Sequence, residues 1–197
     1  MIGLGGSHDR NPMPHTHDGP SQYDHTVTMM VIRHGKRGPE ALLPLHRKYG
    51  VRLPPGGHVE VDESPWQAVE RELREETGYH LEQCDVLQFK DAPTFAHNTL
   101  HPMPLLYQSH GVPGAVKHFH TDVCFALVLN GDNEPRDAIA ADESPLEWFT
   151  AAEIEAFPEG AIVGDMRDMS ISLLTAERQY ARFPATDYFL GEPPVYR

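Results

Sequence analysis

Cysteine is scarce in this 197-residue chain, which carries two, Cys84 and Cys124. Neither sits in a Cys-X-X-Cys pair or near the other, so no disulfide framework is expected and both read as reduced, structural thiols. Long apolar runs are missing too. Nothing approaches the roughly 18 consecutive apolar residues of a membrane span. The first residues lack the basic start and apolar stretch of a secretory signal, so a cytoplasmic location is the expectation. Basic residues are few: 16 Lys and Arg face 29 Asp and Glu, for a net charge of −13. A surface this acidic repels a phosphate backbone and makes nucleic acid an unlikely partner. It does not exclude a small phosphorylated ligand, because divalent cations in a site reverse the local field. No internal repeat is visible.

The chain does have ordinary globular content, 40% hydrophobic and 9% aromatic, and a length that suits one domain. Residues 1–24 are rich in Gly, Pro and His (His8, His15 and His17 among them), which predicts a disordered tail able at most to bind a transition metal adventitiously. The folded domain is expected over 25–183, with a C-terminal extension over 184–197. Thr26–Arg33 and Ala41–Leu45 flank a turn at Gly35–Gly38 and read as a hairpin. Weaker strands are expected near Leu81–Lys90 and Leu105–Ser109, and the strongest at His120–Asn130. Thr150 with Glu153 predicts a short capped helix ending at Phe157. Met166, Met169, Leu173, Ala176 and Tyr180 form one apolar stripe on a final helix. Strands interleaved with helices predict an α/β (α+β) architecture, a mixed sheet with helices on both faces.

The best-marked helix starts at Ser64. Ser64 is a favoured N-cap, Pro65 suits the first turn, Gln67 completes a capping box, and Gly78 is the stop. At about 100° per residue, Glu72, Glu75 and Glu76 share an arc of roughly 100°, while Trp66, Val69 and Leu73 face the core. Three like charges on one arc repel unless a cation neutralises them; Arg71 and Arg74 can do part of this. Clustered hard oxygens on a rigid element also suit Mg²⁺ or Mn²⁺. The Gly57 backbone, having no Cβ, can approach such an ion closely.

The stretch Gly57–Tyr79, GHVEVDESPWQAVERELREETGY, resembles the signature box of the Nudix hydrolase family. That box runs Gly, five residues, Glu, seven residues, Arg-Glu, an apolar residue, any, Glu-Glu, any, Gly, apolar. Gly57, Glu63, Arg71, Glu72, Leu73, Glu75, Glu76 and Gly78 stand at those positions, with Tyr79 where an aliphatic residue is usual. The flanks Pro55–Glu60 and Glu147-Trp148-Phe149 are similar to the family's loop and late strand. The resemblance covers roughly Thr26 to Phe157 and implies an α/β/α sandwich. By similarity, Glu72, Glu75, Glu76 and the Gly57 carbonyl are the Mg²⁺ or Mn²⁺ ligands, and Glu63 and Arg71 the pair holding loop and helix in register. Glu75, or else a loop carboxylate, is the proton acceptor. Glu147 is a candidate further ligand and Glu143 a candidate loop base.

The implied activity is hydrolysis of a nucleoside diphosphate linked to another moiety. Its partner would be a small nucleotide-like phosphorylated substrate, with a homodimer possible. The alternative is a non-catalytic nucleotide-binding regulator, disfavoured by the intact box and the short chain after the last helix. An isopentenyl-diphosphate isomerase would need a cysteine upstream of the box, where none stands. An RNA-cap hydrolase would be expected to show a basic groove, and the negative charge disfavours it. His46-Arg47-Lys48, His118-Phe119-His120 and Pro93 are weak substrate clues. The substrate itself depends on loops outside the box.

Overall fold

The computed structural model describes residues 22–47, 49–91, 101–112, 117–131, 134–139, 144–188 and 190–191. The tail preceding Gln22, and with it Pro93 and Glu143, lies outside the described residues. In chain order the elements are β1 (Gln22–Gly35), β2 (Gly38–Leu42), β3 (Leu45–His46), β4 (Val51–Arg52), β5 (Gly56–His58), α1 (Pro65–Thr77), β6 (Cys84–Phe89), β7 (Leu106–Gly111), β8 (His118–Leu129), β9 (Trp148–Phe149), α2 (Ala151–Ala156), α3 (Gly164–Ala176) and β10 (Tyr180–Pro184).

Eight strands form one mixed sheet built on the parallel pair β1 and β8, in the order β10-β6-β8-β1-β2-β9 with β5 on β1 and β7 on β8; β3 and β4 pair separately. The two central strands are long enough to be shared along their length. Their first halves are flanked by β5 and β7, at Thr26–Thr28 and Phe119–Cys124. Their second halves are flanked by β2 and β6, at Ile32–Gly35 and Leu127–Leu129. The expected hairpin is present, with Ile32 opposite Ala41 and Gly35 opposite Gly38.

Side chains alternate across each strand, and the two faces bury separate apolar clusters. Val27, Met29 and Val31 pack with Trp66, Val69 and Leu73 of α1 and with Phe125 and Leu127 of β8. Met30 and Ile32 pack with Ala126 and Val128 and, through them, with Ile154 of α2 and Met166, Leu173 and Leu174 of α3. Helices therefore cover both faces of a mixed sheet, as the pattern of elements implied. Among the described residues no helix is long and apolar enough to cross a membrane.

Several boundaries differ from the sequence reading, β8 beginning at His118 among them. The first strand begins at Gln22, which draws Asp24 out of the expected tail and buries it at 3% exposure. Leu81–Gln83 is a 3-10 turn, and β6 starts only at Cys84. The last helix ends at Ala176, so Tyr180 belongs to β10, whose antiparallel pairing sets Tyr180 opposite Phe89. The apolar stripe ran on because an edge strand buries the same residue types as a helix face, and only the free edge of β6 decides between them. Beyond β10 the chain returns to α1: Ala185 is buried, the Tyr188 ring lies 6.0 Å from that of Trp66, and the Gln67 side-chain amide donates to the Leu190 carbonyl.

Candidate functional site

Helix α1 is fixed at both ends by its own residues. The Ser64 hydroxyl accepts from the Gln67 N–H and the Gln67 side chain accepts from the Ser64 N–H, closing the capping box. Gly78 ends the helix at φ 69°, and its N–H donates to the Arg74 carbonyl; an L side chain there would be strained. Trp66, Ala68, Val69 and Leu73 are buried against the sheet, which fixes the rotation of the helix and turns its glutamates toward the loop that precedes it.

That loop and the helix interlock through polar contacts. A Cβ at Gly57 would lie 2.1 Å from Glu72 Oε1, so the Glu72 carboxylate occupies the place of a side chain at Gly57. The Gly56 N–H donates to Glu76 Oε2 at 2.9 Å. Arg71 holds the rest. Its Nε and Nη2 donate to the two oxygens of Glu63 at 3.1 and 2.5 Å, and its Nη1 donates to Glu72 Oε1 at 2.7 Å. Nη1 also stands 3.4 Å from Glu75 Oε2, and Nη2 donates to the His58 carbonyl at 2.9 Å.

The electrostatics follow from this crowding. Hydrogen bonds to Glu63 raise the Arg71 pKa, burial opposes them, and Glu72 adds to the rise, so the guanidinium stays charged. Burial pushes the Glu72 carboxyl up, against the pull of Arg71, and Glu75 and Glu63 add to the rise. Three carboxylates (Glu63, Glu72 and Glu75) thus converge on one guanidinium, while Glu76 is held by the Gly56 N–H. Glu75 is the open member, with its side chain 55% exposed against 13% for Glu72. The sequence-predicted residues Gly57, Glu63, Arg71, Glu72, Glu75 and Glu76 are brought together. The oxygens around Gly57 can hold a hard divalent ion, and their excess negative charge favours one.

Glu147 is placed differently. Its two oxygens accept from Arg52 at 2.7 and 2.9 Å, and these bonds hold its carboxyl below the usual range. Arg52 also caps the Phe149 ring at 4.5 Å, so the pair ties β4 to the segment entering β9. Within the basic cluster, His46 stacks on Tyr49 at 4.6 Å, and Lys48 lies outside the described residues. Both cysteines are buried and unbridged. Burial pushes the Cys84 thiol up to about 12 and also raises Cys124, whose thiol donates to Asp122 Oδ2 at 3.0 Å.

Residues that sequence reasoning did not join stand on the opposite face of β1 and β8. The Thr26 and Thr28 hydroxyls donate to the buried Asp122 at 2.9 and 3.0 Å. Next along the same face, His118 Nε2 lies 2.8 Å from Asp24 Oδ2. Alternating polar residues in Asp24–Thr28 and His118–Asp122 were the available signal; the tail's composition masked the first.

Comparison with known proteins gives consistent findings. Residues 24–169 match the model of the NUDIX domain. A human protein named m7GpppN-mRNA hydrolase NUDT17 is 30% identical over 135 residues, which are 64% of this chain but 38% of that protein. This chain thus matches well under half the length of that curated relative. A NUDIX-family hydrolase from Clostridium perfringens superposes with a TM-score of 0.60 at 22% identity, covering 77% of this chain and 96% of that one. A C. elegans Ap4A hydrolase complex gives 0.55 at 19% identity, covering 78% and 98%. At these identities the two structures share the fold.

Proposed function

Because this chain belongs to the Nudix family, whose members are hydrolases of pyrophosphate bonds, we propose that it cleaves a nucleoside diphosphate linked to another moiety. The observation that carries this is the seating of Glu72 on Gly57, with Glu63 and Glu75 on the same guanidinium and Glu76 bound to the Gly56 N–H. Such a cluster has more negative charge than Arg71 can offset, and its donors are oxygens, so the residues fit Mg²⁺ or Mn²⁺. The ion would be held by Glu72, Glu75, Glu76 and the Gly57 carbonyl. When bound, it would polarise adjacent phosphates and offset charge on the departing one.

The chain's own residues divide the remaining work. Arg71, held by Glu63, keeps the His58 carbonyl and the Glu72 carboxylate in register, fixing loop against helix. Glu75, the exposed carboxylate, takes the proton of the attacking water. The water oxygen bonds to phosphorus as the bridging P–O bond breaks, and the departing phosphate keeps that bonding pair. Glu147, committed to Arg52, supports the loop side rather than the reacting phosphates.

A second reading is favoured by one finding, the human relative named for mRNA-cap hydrolysis. A cap is itself a nucleoside diphosphate joined to another moiety, so both readings use the same chemistry and differ in how much RNA is grasped. The test is a panel of ADP-ribose, NADH, sugar nucleotides, diadenosine polyphosphates, CoA, nucleoside triphosphates, free cap dinucleotide and capped RNA, each with Mg²⁺ or Mn²⁺. One class should turn over, and Glu75→Gln should slow it by about 10²–10⁴-fold. Turnover of capped RNA in preference to the free dinucleotide would select the second reading. Tight binding without turnover of any member would replace hydrolysis with a regulatory role.

A further inference from the structure

Across the sheet from α1, the first halves of β1 and β8 gather a second set of ligating side chains. The parallel register places Gln22 opposite His118 and Asp24 opposite His120. Side chains two apart on a strand share a face, so Asp24, His118 and His120 meet. One ligand atom from each lies within 4.8 Å of the other two. His118 Nε2 is 2.8 Å from Asp24 Oδ2, and His58 Nε2 is 3.8 Å from the same oxygen. The His120 ring centre lies 5.0 Å from that of His58, 5.4 Å from that of His110 and 5.4 Å from that of His118. One buried carboxylate is therefore flanked by three imidazoles from β5 and β8, with the His110 ring of β7 behind that of His120.

A single histidine would satisfy Asp24 as a structural partner. Three is an excess of nitrogen donors, and with His110 beside His120 the rings crowd one another. Burial, with the neighbouring His58, His110 and His118, lowers His120 to about 4, so its ring is neutral near pH 7 and its nitrogen lone pair is available. Two imidazoles and a carboxylate are the ligand set of borderline divalent ions, whereas Mg²⁺ prefers oxygen alone.

We propose that Asp24, His118 and His120 form a binding site for a borderline transition-metal ion of the zinc class, with His58 or His110 completing the shell. Zinc–nitrogen bonds near 2.1 Å require the three ligand atoms to draw together by up to about 1.5 Å. The site is separate from the box glutamates yet joined to them through His58, whose ring faces Asp24 while its carbonyl accepts from Arg71. An ion there would clamp β1, β8 and the strand that leads into the box.

The test uses the full chain with His8, His15 and His17 changed to Ser, so that the tail supplies no imidazole. The metal-stripped protein is held in millimolar Mg²⁺, which saturates oxygen-ligand sites, and titrated with Zn²⁺ by calorimetry and with Co²⁺ by visible absorption. One ion per chain is expected, with the intense Co²⁺ bands of low-coordinate nitrogen ligation and a Zn²⁺-dependent rise in Tm. His120→Asn and Asp24→Asn should each weaken binding at least tenfold and abolish the Tm rise, while Glu72→Gln leaves both unchanged. The circular dichroism of each variant is compared with the parent's; should Asp24→Asn fail to fold, the partly exposed His120→Asn decides. Unchanged affinity in His120→Asn, a weak six-oxygen Co²⁺ spectrum, or no uptake above Mg²⁺ would overturn the proposal.

Discussion

On the α1 side of the sheet, one guanidinium is surrounded by Glu63, Glu72 and Glu75, with Glu76 on the Gly56 N–H, all within a single stretch of chain. On the opposite side, one carboxylate is flanked by His58, His118 and His120, with His110 beside His120, and the His118–Asp24 bond spans 94 residues of sequence. The two clusters invert each other in charge and in ligand hardness. The first is rich in anionic oxygens and suits a hard ion; the second is rich in neutral nitrogens and suits a softer one. They also rest on different supports. The glutamates are held by helix caps and an arginine fork, and the histidines by strand register and a buried carboxylate beneath them. A helix can present chemistry from adjacent turns, whereas a sheet must bring it from separate strands.

The sharpest way to break this comparison is Gly57→Ala. The added methyl would fall 2.1 Å from Glu72 Oε1, so the carboxylate must move by about an ångström, a displacement that can cost about 100-fold in rate. kcat/KM on the substrate found by the panel should fall by about that factor while zinc uptake at the histidines is retained. A G57A chain as active as the parent would mean that the Glu72 seat is dispensable.

Next in size is Asp122→Asn, which tests the support of the other side. Asp122 accepts from Thr26, Thr28 and Cys124 while 2% exposed. Replacing one acceptor oxygen by an amide donor leaves at least one of these groups facing a like donor, at a cost of about 1–3 kcal/mol. The urea midpoint should fall with an unchanged slope. No change in midpoint would show that β1 and β8 are registered by their apolar halves alone.

The smallest expected effect is Ser64→Ala. It removes the capping hydroxyl of α1 and should lower stability by about 1 kcal/mol, read in the same denaturation. Activity should persist, because Leu73 and Val69 still fix the rotation of the helix against the sheet. Loss of activity well beyond the loss of stability would show that the cap, rather than the core, aims the glutamates.

The box was legible in the sequence because each of its signals is local. Ser64, Pro65, Gln67 and Gly78 bound the helix as expected, and helical spacing sorts Glu72, Glu75 and Glu76 from Trp66, Val69 and Leu73 without any tertiary information. The Thr150–Glu153 cap and the β1–β2 hairpin were legible for the same reason. Misplaced boundaries occurred where a distant strand decides. Tyr180 continued a helical stripe until β6 offered an edge, and Asp24 looked like tail until β8 lay beside it. Glu147 was matched to a role by its neighbours in sequence, and its pairing of both oxygens with Arg52 was not visible there.

What the sequence determined by itself was the box helix, its caps, the glutamate arc and the family to which the chain belongs, because these depend on contacts a few residues apart. What only the tertiary structure decided was the pairing of β1 with β8. Two strands whose paired residues lie 96 apart acquire a register only when the sheet buries its faces against the core, and that register sets Asp24 among the histidines.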